Sequence, residues 1–236
     1  MSPATQHSLP PLRGCLLSGG ASRRMGRDKA LLPHPEGGSW LERQVRLLAG
    51  LGAPVTLLSG WPAHLETAAD LGESLRLQGV ALELLREPTG EPGRPPAGPL
   101  VALARLMEAH PDERLLLCPI DMPALTLSSL QEMLLASAAD PASIWIAAPD
   151  QPGTPPQPLV GLYPSDANRR RRLGKALAHG ERALLRWLAG ERTRRHPLPS
   201  ALLMNVNTPE DWSLWRAMGH PSGAASPTSP APGGKS

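Results

Sequence analysis

Short apolar runs alternate along the chain with longer stretches in which apolar residues recur every three or four positions. The short runs are bounded by turn residues and predict strands; they are GCLLS, PVTLLS, ALELL, RLLLCPI, SIWIAAP and PLVGLY. The longer stretches predict amphipathic helices; they are LERQVRLLAGLG, PLVALARLMEAH, LSSLQEMLLASAA and ERALLRWLAG. Because the two kinds of segment alternate as βαβ units, we expect an α/β fold of one domain, with three layers and a mostly parallel sheet of Rossmann-like topology.

The two ends of the chain differ in composition from its middle. Residues 1–12 and 219–236 are rich in Pro, Ser and Gly and lack core-forming residues, so we predict disordered tails on either side of a domain at 13–218. No run of 18 or more apolar residues occurs, and prolines stand near the start, where a signal peptide needs an apolar run. These features predict a cytoplasmic protein without a membrane partner.

Composition and charge narrow the choice of ligand. A formal net charge of +3 over 236 residues suits a polyanionic small molecule but is far below the charge density of a nucleic-acid-binding protein. Aromatic residues make up only 3% of the chain, which leaves little for base stacking. Cys15 and Cys118 lie in apolar runs without CxxC spacing and are predicted to be reduced core thiols.

A glycine-rich loop with a basic end, LSGGASRRMGRDK, follows the first predicted strand at residues 17–29. Gly19 and Gly20 let backbone N–H groups approach a phosphate chain, and Arg24 and Lys29 can neutralise its charge. Only three of the 24 basic residues are Lys, so Lys29 indicates that a compact ammonium is needed here. Neither GxGxxG nor GxxxxGK[ST] is present, which argues against a dinucleotide-binding fold and a P-loop ATPase. The alternative is a tight turn beside a solvated basic face.

The second candidate segment is CPIDMP at residues 118–123, where an apolar strand ends in one carboxylate between two prolines. Mg²⁺ takes one or two carboxylates together with waters and substrate phosphates, so Asp121 alone is enough to anchor it. Asp121 could instead start a turn or cap the helix that begins near Leu127. Its place at a strand end opposite the phosphate loop favours the metal ligand, because ligands of such sheets bind beyond the carboxyl ends of strands.

Four segments together resemble the molybdenum cofactor guanylyltransferase family, over most of residues 13–216. The loop is similar to the family's LAGGxSxRMGxDKxLL element, with Ser18 in place of the usual Ala. CPIDMP is similar to PCDxP, with Ile120 as the departure, and we expect that side chain in the core. GPL at 98–100 resembles the family's GPLAG, and NVNTPED at 205–211 matches its counterpart closely. The resemblance implies the nucleotidyltransferase form of the α/β fold.

The resemblance also implies roles for individual residues. The residues implied to bind GTP are Leu17, Ser18, Gly19, Gly20, Lys29, Glu87 and Asp121. The implied catalytic residues are Arg24, Lys29 and Asp121, with Asp121 as the ligand of Mg²⁺. Asn205 and Asn207 are implied to border the pterin, and alternation in an extended segment puts both amides on one face. A helix capped by Thr208 with Pro209 in its first position is predicted to follow.

Two positions depart from the family's pattern. Glu87 stands where an Asp usually contacts the nucleoside, and the adjacent Pro-rich insertion GEPGRPPA shifts the register. Leu58 and Ser59 stand where the family often carries an Asn that contacts guanine. The preference for GTP therefore follows from the overall pattern and not from this strand.

The activity implied by the resemblance is transfer of GMP from GTP to molybdopterin with release of pyrophosphate. GTP and molybdopterin are the implied substrates, and molybdenum-insertion proteins or acceptor molybdoenzymes are candidate partners. A phosphate acceptor is already ionised near neutral pH and needs no general base, so the histidines are interpreted as ordinary polar residues. The alternatives are a molybdopterin cytidylyltransferase or other NTP transferase of this fold, a non-catalytic GTP-binding module, and a nucleic-acid binder. The run Arg169–Arg172 is either a solvated helix face or a docking site for an acidic ligand.

Overall fold

The computed structural model of the chain describes residues 8–20, 23–87 and 98–218. The strands in this part are β1 (Leu12–Leu17), β2 (Val55–Ser59), β3 (Leu82–Arg86), β4 (Arg114–Pro119), β5 (Ile144–Pro149), β6 (Gln157–Pro164) and β7 (Thr193–Leu198). The α-helices are α1 (Trp40–Ala49), α2 (Pro62–Leu77), α3 (Pro99–Ala109), α4 (Leu127–Ser137), α5 (Ala167–Ala178), α6 (Leu184–Leu188) and α7 (Pro209–Ala217). None of these helices is both long enough and apolar enough to cross a lipid bilayer. The insertion GEPGRPPA and most of both predicted tails lie outside the described residues.

The strands form one sheet in the order β3-β2-β1-β4-β6-β5-β7. β6 runs antiparallel to its neighbours β4 and β5, while the other four pairs are parallel. The predicted mostly parallel α/β sheet is therefore confirmed. β1 lies between β2 and β4 and runs parallel to both. The chain segments that follow these three strands therefore emerge at one edge of the sheet.

Both faces of the sheet are buried, which gives the predicted three layers. One core cluster contains Leu16, Leu57 and Leu116 and packs against α1, α2, α4 and α7. The other contains Cys15, Leu115 and Leu117 and packs against α3, α5 and α6. Neighbouring strand residues enter opposite clusters because successive side chains point to opposite faces. Strands buried on both faces read as continuous apolar runs, which is why GCLLS and RLLLCPI were recognisable.

The two cysteines are confirmed as buried free thiols, Cys15 in one cluster and Cys118 in the other. Burial raises the pKa of the Cys118 thiol to about 12, and it also raises the pKa of Cys15. Both groups therefore stay protonated at neutral pH and act as small apolar side chains.

Three elements have no counterpart among the predicted ones. α2 has only four buried residues, one of them a histidine, so its apolar stripe is narrow. α5 carries the basic run and buries only Arg169 and Leu173. β7, with the sequence TRRHPL, is an edge strand in which only Leu198 is fully buried. Charged edge strands resist pairing with other chains, and the same charges remove the apolar alternation by which a strand is recognised.

The amino-terminal end of the sheet extends beyond the predicted domain start at residue 13. β1 begins at Leu12, and Arg114 donates its backbone N–H to the Pro11 carbonyl at 2.8 Å and its Nε–H to the Pro10 carbonyl at 3.0 Å. Residues 10–12 are therefore bonded to the sheet, which corrects the expectation that all of 1–12 is disordered.

The basic run at the start of α5 is partly an internal clamp. The Arg169 side chain is 5% exposed and donates to Glu191 and Asp166 and to the carbonyls of Pro164 and Ala142. Arg172 pairs with the same Glu191, whose side chain is 4% exposed. Arg169 and Arg172 therefore join α5 to the segment between α6 and β7; Arg169 is buried in this contact, and the Arg172 side chain is half exposed.

This clamp predicts an unequal effect of two charge-removing substitutions. Glu191→Gln leaves Arg169 buried with only Asp166 as its counter-charge. We expect a loss of about 3 kcal/mol in the free energy of unfolding, the low end of what breaking a buried pair costs. Glu108→Gln is the matched control, because Glu108 pairs with Arg105 on an exposed helix surface, and should change stability by less than about 1 kcal/mol. Urea denaturation of both variants measures the difference, and equal losses would contradict the clamp.

Candidate active site

A cavity of about 260 Å³ opens at the carboxyl edge of the parallel strands. Its lining residues are Leu17, Gly19, Gly20, Lys29, Leu58, Glu87, Gly98, Pro99, Ala102, Pro119, Ile120, Asp121 and Leu159. The walls are largely apolar, with Lys29, Asp121 and Glu87 as the charged groups. Six residues predicted to bind GTP, Leu17, Gly19, Gly20, Lys29, Glu87 and Asp121, lie in this lining.

The two central strands bring the loop and the carboxylate side by side. The Ile120 N–H donates to the Leu17 carbonyl at 3.1 Å, so the pairing of β1 and β4 continues one residue past β4. Ile120 is buried in the core, as predicted, and both Ile120 and Asp121, in the turn that follows β4, line the cavity. The fully buried Gln44 donates to the Met122 carbonyl at 2.7 Å and so holds the turn that follows.

Lys29 joins three segments that are far apart in the sequence. It begins a short 3₁₀-helix, Lys29–Leu31, which Asp28 caps by accepting from the Ala30 N–H at 3.0 Å. The Lys29 Nζ lies 3.2 Å from Asp121 Oδ2 and 2.9 Å from Asn207 Oδ1. The residue is only 7% exposed, so these oxygens take the place of much of the water that an ammonium otherwise requires.

The segment before α7 delivers Asn207 to this point. The Val206 N–H donates to the Asp121 carbonyl at 2.8 Å, which fixes the two segments to each other. Thr208 caps α7, with Pro209 in the first position, as predicted. Asp211 accepts from the N–H groups of Asn207 and Thr208 at 2.9 Å each. These bonds lower the pKa of Asp211. Asn205 is half-buried two residues earlier, and neither asparagine is part of the cavity lining; Asn207 reaches the site through its contact with Lys29.

Two further predicted residues lie beside the cavity and not in it. Arg24 is exposed in the short 3₁₀-helix Arg23–Met25, on the side of Asp211, whose pKa its positive charge helps to lower. Ser18 is 1% exposed, and its hydroxyl lies 2.9 Å from Nδ1 of His64. His64 was interpreted from the sequence as an ordinary polar residue. The sequence signal from which it could have been found is its spacing of four residues before Ala68, which places both on the buried face of α2.

The amino end of α3 borders the cavity opposite the loop. Gly98 precedes the helix with a φ of +84°, a conformation that favours glycine, and Pro99 takes the first helical position. Gly98, Pro99 and Ala102 all line the cavity. The positive end of the helix dipole therefore points toward the space in which an anionic ligand would lie.

Gly19 and Glu87 are in close contact across the cavity. A Cβ atom on Gly19 would overlap the Glu87 carboxylate, whereas one on Gly20 would meet nothing within 4 Å. Gly19 therefore allows the carboxylate to approach the loop backbone. Burial raises the pKa of Glu87 above its ordinary value, so ionising this carboxyl group costs more free energy in the folded chain than in the unfolded one.

The raised pKa of Glu87 predicts a stabilising substitution. A carboxylate whose pKa is higher in the folded than in the unfolded chain lowers stability above that pKa, and the cost vanishes below the unfolded value of about 4.3. We expect Glu87→Gln to raise the free energy of unfolding near neutral pH and to lose this gain as the pH falls below about 4. Glu73→Gln, on the exposed side of α2, should give no such pH-dependent gain. Denaturant titrations across this pH range test both, and a destabilised Glu87→Gln would contradict the prediction.

Known proteins are similar to this chain over most of its length. A model of the MobA-like NTP transferase domain matches residues 14–196. A curated relative from Rhodopirellula baltica, named a probable molybdenum cofactor guanylyltransferase, is 32% identical over 86% of this chain and 90% of its own length. One from Synechococcus elongatus, with the same name, is 33% identical over 84% of this chain and 94% of its own.

The fold comparison points the same way. The crystal structure of molybdopterin-guanine dinucleotide biosynthesis protein A from Archaeoglobus fulgidus aligns with a TM-score of 0.65 at 18% identity, over 87% of this chain and 97% of that one. The α/β fold of this chain is thus shared with that protein. The chain belongs to the family of MobA-like NTP transferase domains.

Proposed function

We propose that this chain is a molybdenum cofactor guanylyltransferase, which transfers GMP from GTP to molybdopterin in the cytoplasm and releases pyrophosphate. The observation that carries the proposal is the meeting of Lys29, Asp121 and Asn207 at one side of a cavity bordered by Gly19 and Gly20. The names of the curated relatives support the choice of substrates.

The residues around the cavity suit the parts of a nucleoside triphosphate. Backbone N–H groups at Gly19 and Gly20, the Lys29 ammonium and the amino end of α3 favour the phosphates. Arg24, exposed on the flank of the loop, adds positive charge from outside the cavity. The apolar wall formed by Leu58 and its neighbours suits a planar base, and Glu87 can accept hydrogen bonds from the nucleoside.

Magnesium fits the donor set in this cavity. No group of three or more His, Cys, Asp or Glu side chains in residues 8–20, 23–87 and 98–218 is arranged to hold a metal ion by itself. Asp121 nevertheless offers a carboxylate in the cavity lining, and its Oδ2 also contacts the Lys29 ammonium. One carboxylate, completed by substrate phosphates and water, is an oxygen set that Mg²⁺ accepts. When bound, the ion would neutralise charge on the phosphate oxygens.

The chemistry requires placement more than proton transfer. An oxygen of the molybdopterin phosphate forms a bond to the α-phosphorus of GTP while the bond from that phosphorus to the α–β bridging oxygen breaks, and pyrophosphate leaves. The attacking phosphate monoester has a second pKa of about 6 and is ionised without a general base. Lys29 and the loop N–H groups then hold the phosphates in line and stabilise charge that grows on their oxygens. Asn205 and Asn207 lie on the side proposed to border the pterin.

The decisive experiment incubates the purified chain with Mg²⁺, molybdopterin and each nucleoside triphosphate in turn, and identifies the product by mass spectrometry. We expect the guanine dinucleotide with GTP. A cytosine dinucleotide with CTP would instead assign a cytidylyltransferase. This outcome is worth testing because the apolar Leu58 of β2 lines the cavity where the family often carries an Asn that contacts guanine. Binding of GTP without any product would identify a non-catalytic module.

Asp121→Asn should fold normally and lose most of its turnover. The backbone bond from Val206 to the Asp121 carbonyl is unaffected, but the amide cannot supply the anionic ligand. Asp70→Asn, on the exposed face of α2, is the control and should keep wild-type turnover. Titrating Mg²⁺ in the transfer assay measures both variants, and wild-type turnover in Asp121→Asn would remove Asp121 from the metal site.

Lys29→Arg should separate charge from geometry. The change keeps the positive charge, but the wider guanidinium has to fit a site that is 7% exposed and shaped around a point charge. We expect GTP affinity within a few-fold of wild type by calorimetry and transfer at least about ten-fold slower, since a misplacement of about 1 Å costs up to about 100-fold. Lys175→Arg, on the exposed side of α5, should be neutral. Equal rates in Lys29→Arg and wild type would show that only charge matters at this position.

A further inference from the structure

A polar cluster lies beneath the glycine-rich loop, buried except for Asp28, whose side chain is 35% exposed, and the proposed chemistry does not use it. It consists of Ser18, Asp28, Ser59 and His64, and we call it the His64 cluster. His64 Nδ1 lies 2.9 Å from the hydroxyl oxygens of both Ser18 and Ser59, and His64 Nε2 lies 2.7 Å from Asp28 Oδ2. The Ser59 hydroxyl donates to the Ser18 carbonyl at 2.9 Å.

The cluster is not a nucleophilic triad, although its residue types are those of one. Ser18 and His64 are each 1% exposed and Ser59 is fully buried, so no substrate can reach either hydroxyl. The hydroxyls and the imidazole are instead satisfied by one another, as buried polar groups must be. The group therefore stabilises a particular geometry of the surrounding backbone.

The geometry in question is that of the loop ends. Ser18 directly follows β1, where the loop begins, and Asp28 directly precedes Lys29, where it ends. His64 bonds to both, so one imidazole from α2 holds the two ends of the loop to a rigid helix. Closing a flexible loop costs entropy that such a link offsets. The segment between these ends carries two exposed arginines, Arg24 and Arg27, and buries Met25 in the core, so the imidazole adds a second anchor, at the loop ends, to the one that Met25 provides.

Asp28 transmits this link to Lys29. One carboxylate oxygen accepts from His64, and the other accepts from the Ala30 N–H and so caps the 3₁₀-helix that Lys29 begins. A shift of Asp28 would therefore rotate the first residue of that helix. Lys29 Nζ must reach Asp121 and Asn207 at 3.2 and 2.9 Å, and a small rotation of its backbone moves the end of a long side chain out of this range.

We propose that His64 is a positioning residue that holds the end of the glycine-rich loop through Asp28 and thereby places the Lys29 ammonium. The inference rests on the proposed function in so far as Lys29 acts on a phosphate chain. It concerns a residue that has no place in the loop motif itself. The first experiment tests the placement in the free protein, where no substrate is needed.

The first experiment is hydrogen exchange of the Ala30 and Leu32 amides, which bond to Asp28 Oδ1 and to the Lys29 carbonyl. We expect His64→Leu to speed their exchange about ten-fold or more, because the cap loses its anchor. His110→Leu is the matched control: His110 is 4% exposed and bonds to the Thr56 hydroxyl at 3.0 Å, near the opposite edge of the sheet. Unchanged exchange at Ala30 and Leu32 in His64→Leu, or equal acceleration in both variants, would overturn the proposal.

The second experiment compares substitutions that keep one arm of the link. In His64→Gln the amide nitrogen takes the place of Nε2 and can still donate to Asp28, whereas His64→Asn can reach only the serines. We expect GMP transfer by His64→Gln to stay within a few-fold of wild type, and His64→Asn and His64→Leu to be slower by about ten-fold or more. Rescue by Asn and not by Gln would overturn the role of Asp28. Both variants are polar, so they also decide the question if His64→Leu does not fold.

A double-mutant cycle with Lys29→Ala separates positioning from general stability. If His64 acts through Lys29, His64→Leu should slow transfer by less than about two-fold once Lys29 is gone, although its effect on the melting temperature remains. The same ten-fold loss in both backgrounds would show that His64 does not act through Lys29. If the wild-type chain forms no dinucleotide from any nucleoside triphosphate, the proposed function fails, and the exchange experiment still decides whether His64 holds the loop.

Discussion

The contact of the Lys29 ammonium with Asp121 and Asn207 sets conditions that the rest of the architecture must satisfy. An ammonium that is 7% exposed is stable only with oxygen partners in close range. Those partners come from the segment after β4 and the segment before α7, which lie 92 and 178 residues after Lys29 in the sequence, and all three segments must meet within one side chain's reach. Parallel pairing of β1 with β4 accomplishes the first meeting, and the bond from Val206 to the Asp121 carbonyl accomplishes the second.

The cavity beside this contact has features that a stable core would avoid. Glu87 is half-buried with its pKa raised by burial, and Gly19 leaves the space that lets this carboxylate approach the loop. Each of these choices costs stability, as expected where function constrains a site. Compensation lies elsewhere, in the two apolar layers and in ionic clamps such as the one between Arg169 and Glu191.

The parts of the fold that could be predicted are those with local signals. The strands GCLLS and RLLLCPI are apolar on both faces, and the TPED sequence carries its own helix cap, so each was recognisable without knowledge of its neighbours. β7 and α2 were missed because an edge strand of charged residues and a helix with a narrow stripe owe their conformation to tertiary packing. The antiparallel direction of β6 was also beyond reach, since an apolar run does not show which way a strand points. The loop glycines, Lys29 and Asp121 could be named, but their mutual distances depend on strand order, which the residues do not encode locally.

His64 shows the same limit within the site. The loop motif supplies glycine for close approach, lysine for charge and Asp28 as the cap of the helix that Lys29 begins, yet Asp28 is itself bonded to a residue outside those thirteen. A glycine pair makes the backbone permissive, and permissive backbone has to be held by contacts from outside. Here the contact comes from His64 of α2, whose partners in the loop, Asp28 and Ser18, lie 36 and 46 residues before it in the sequence. A motif can therefore name the groups that meet a ligand while the residues that orient them lie on elements whose sequence carries little sign of it.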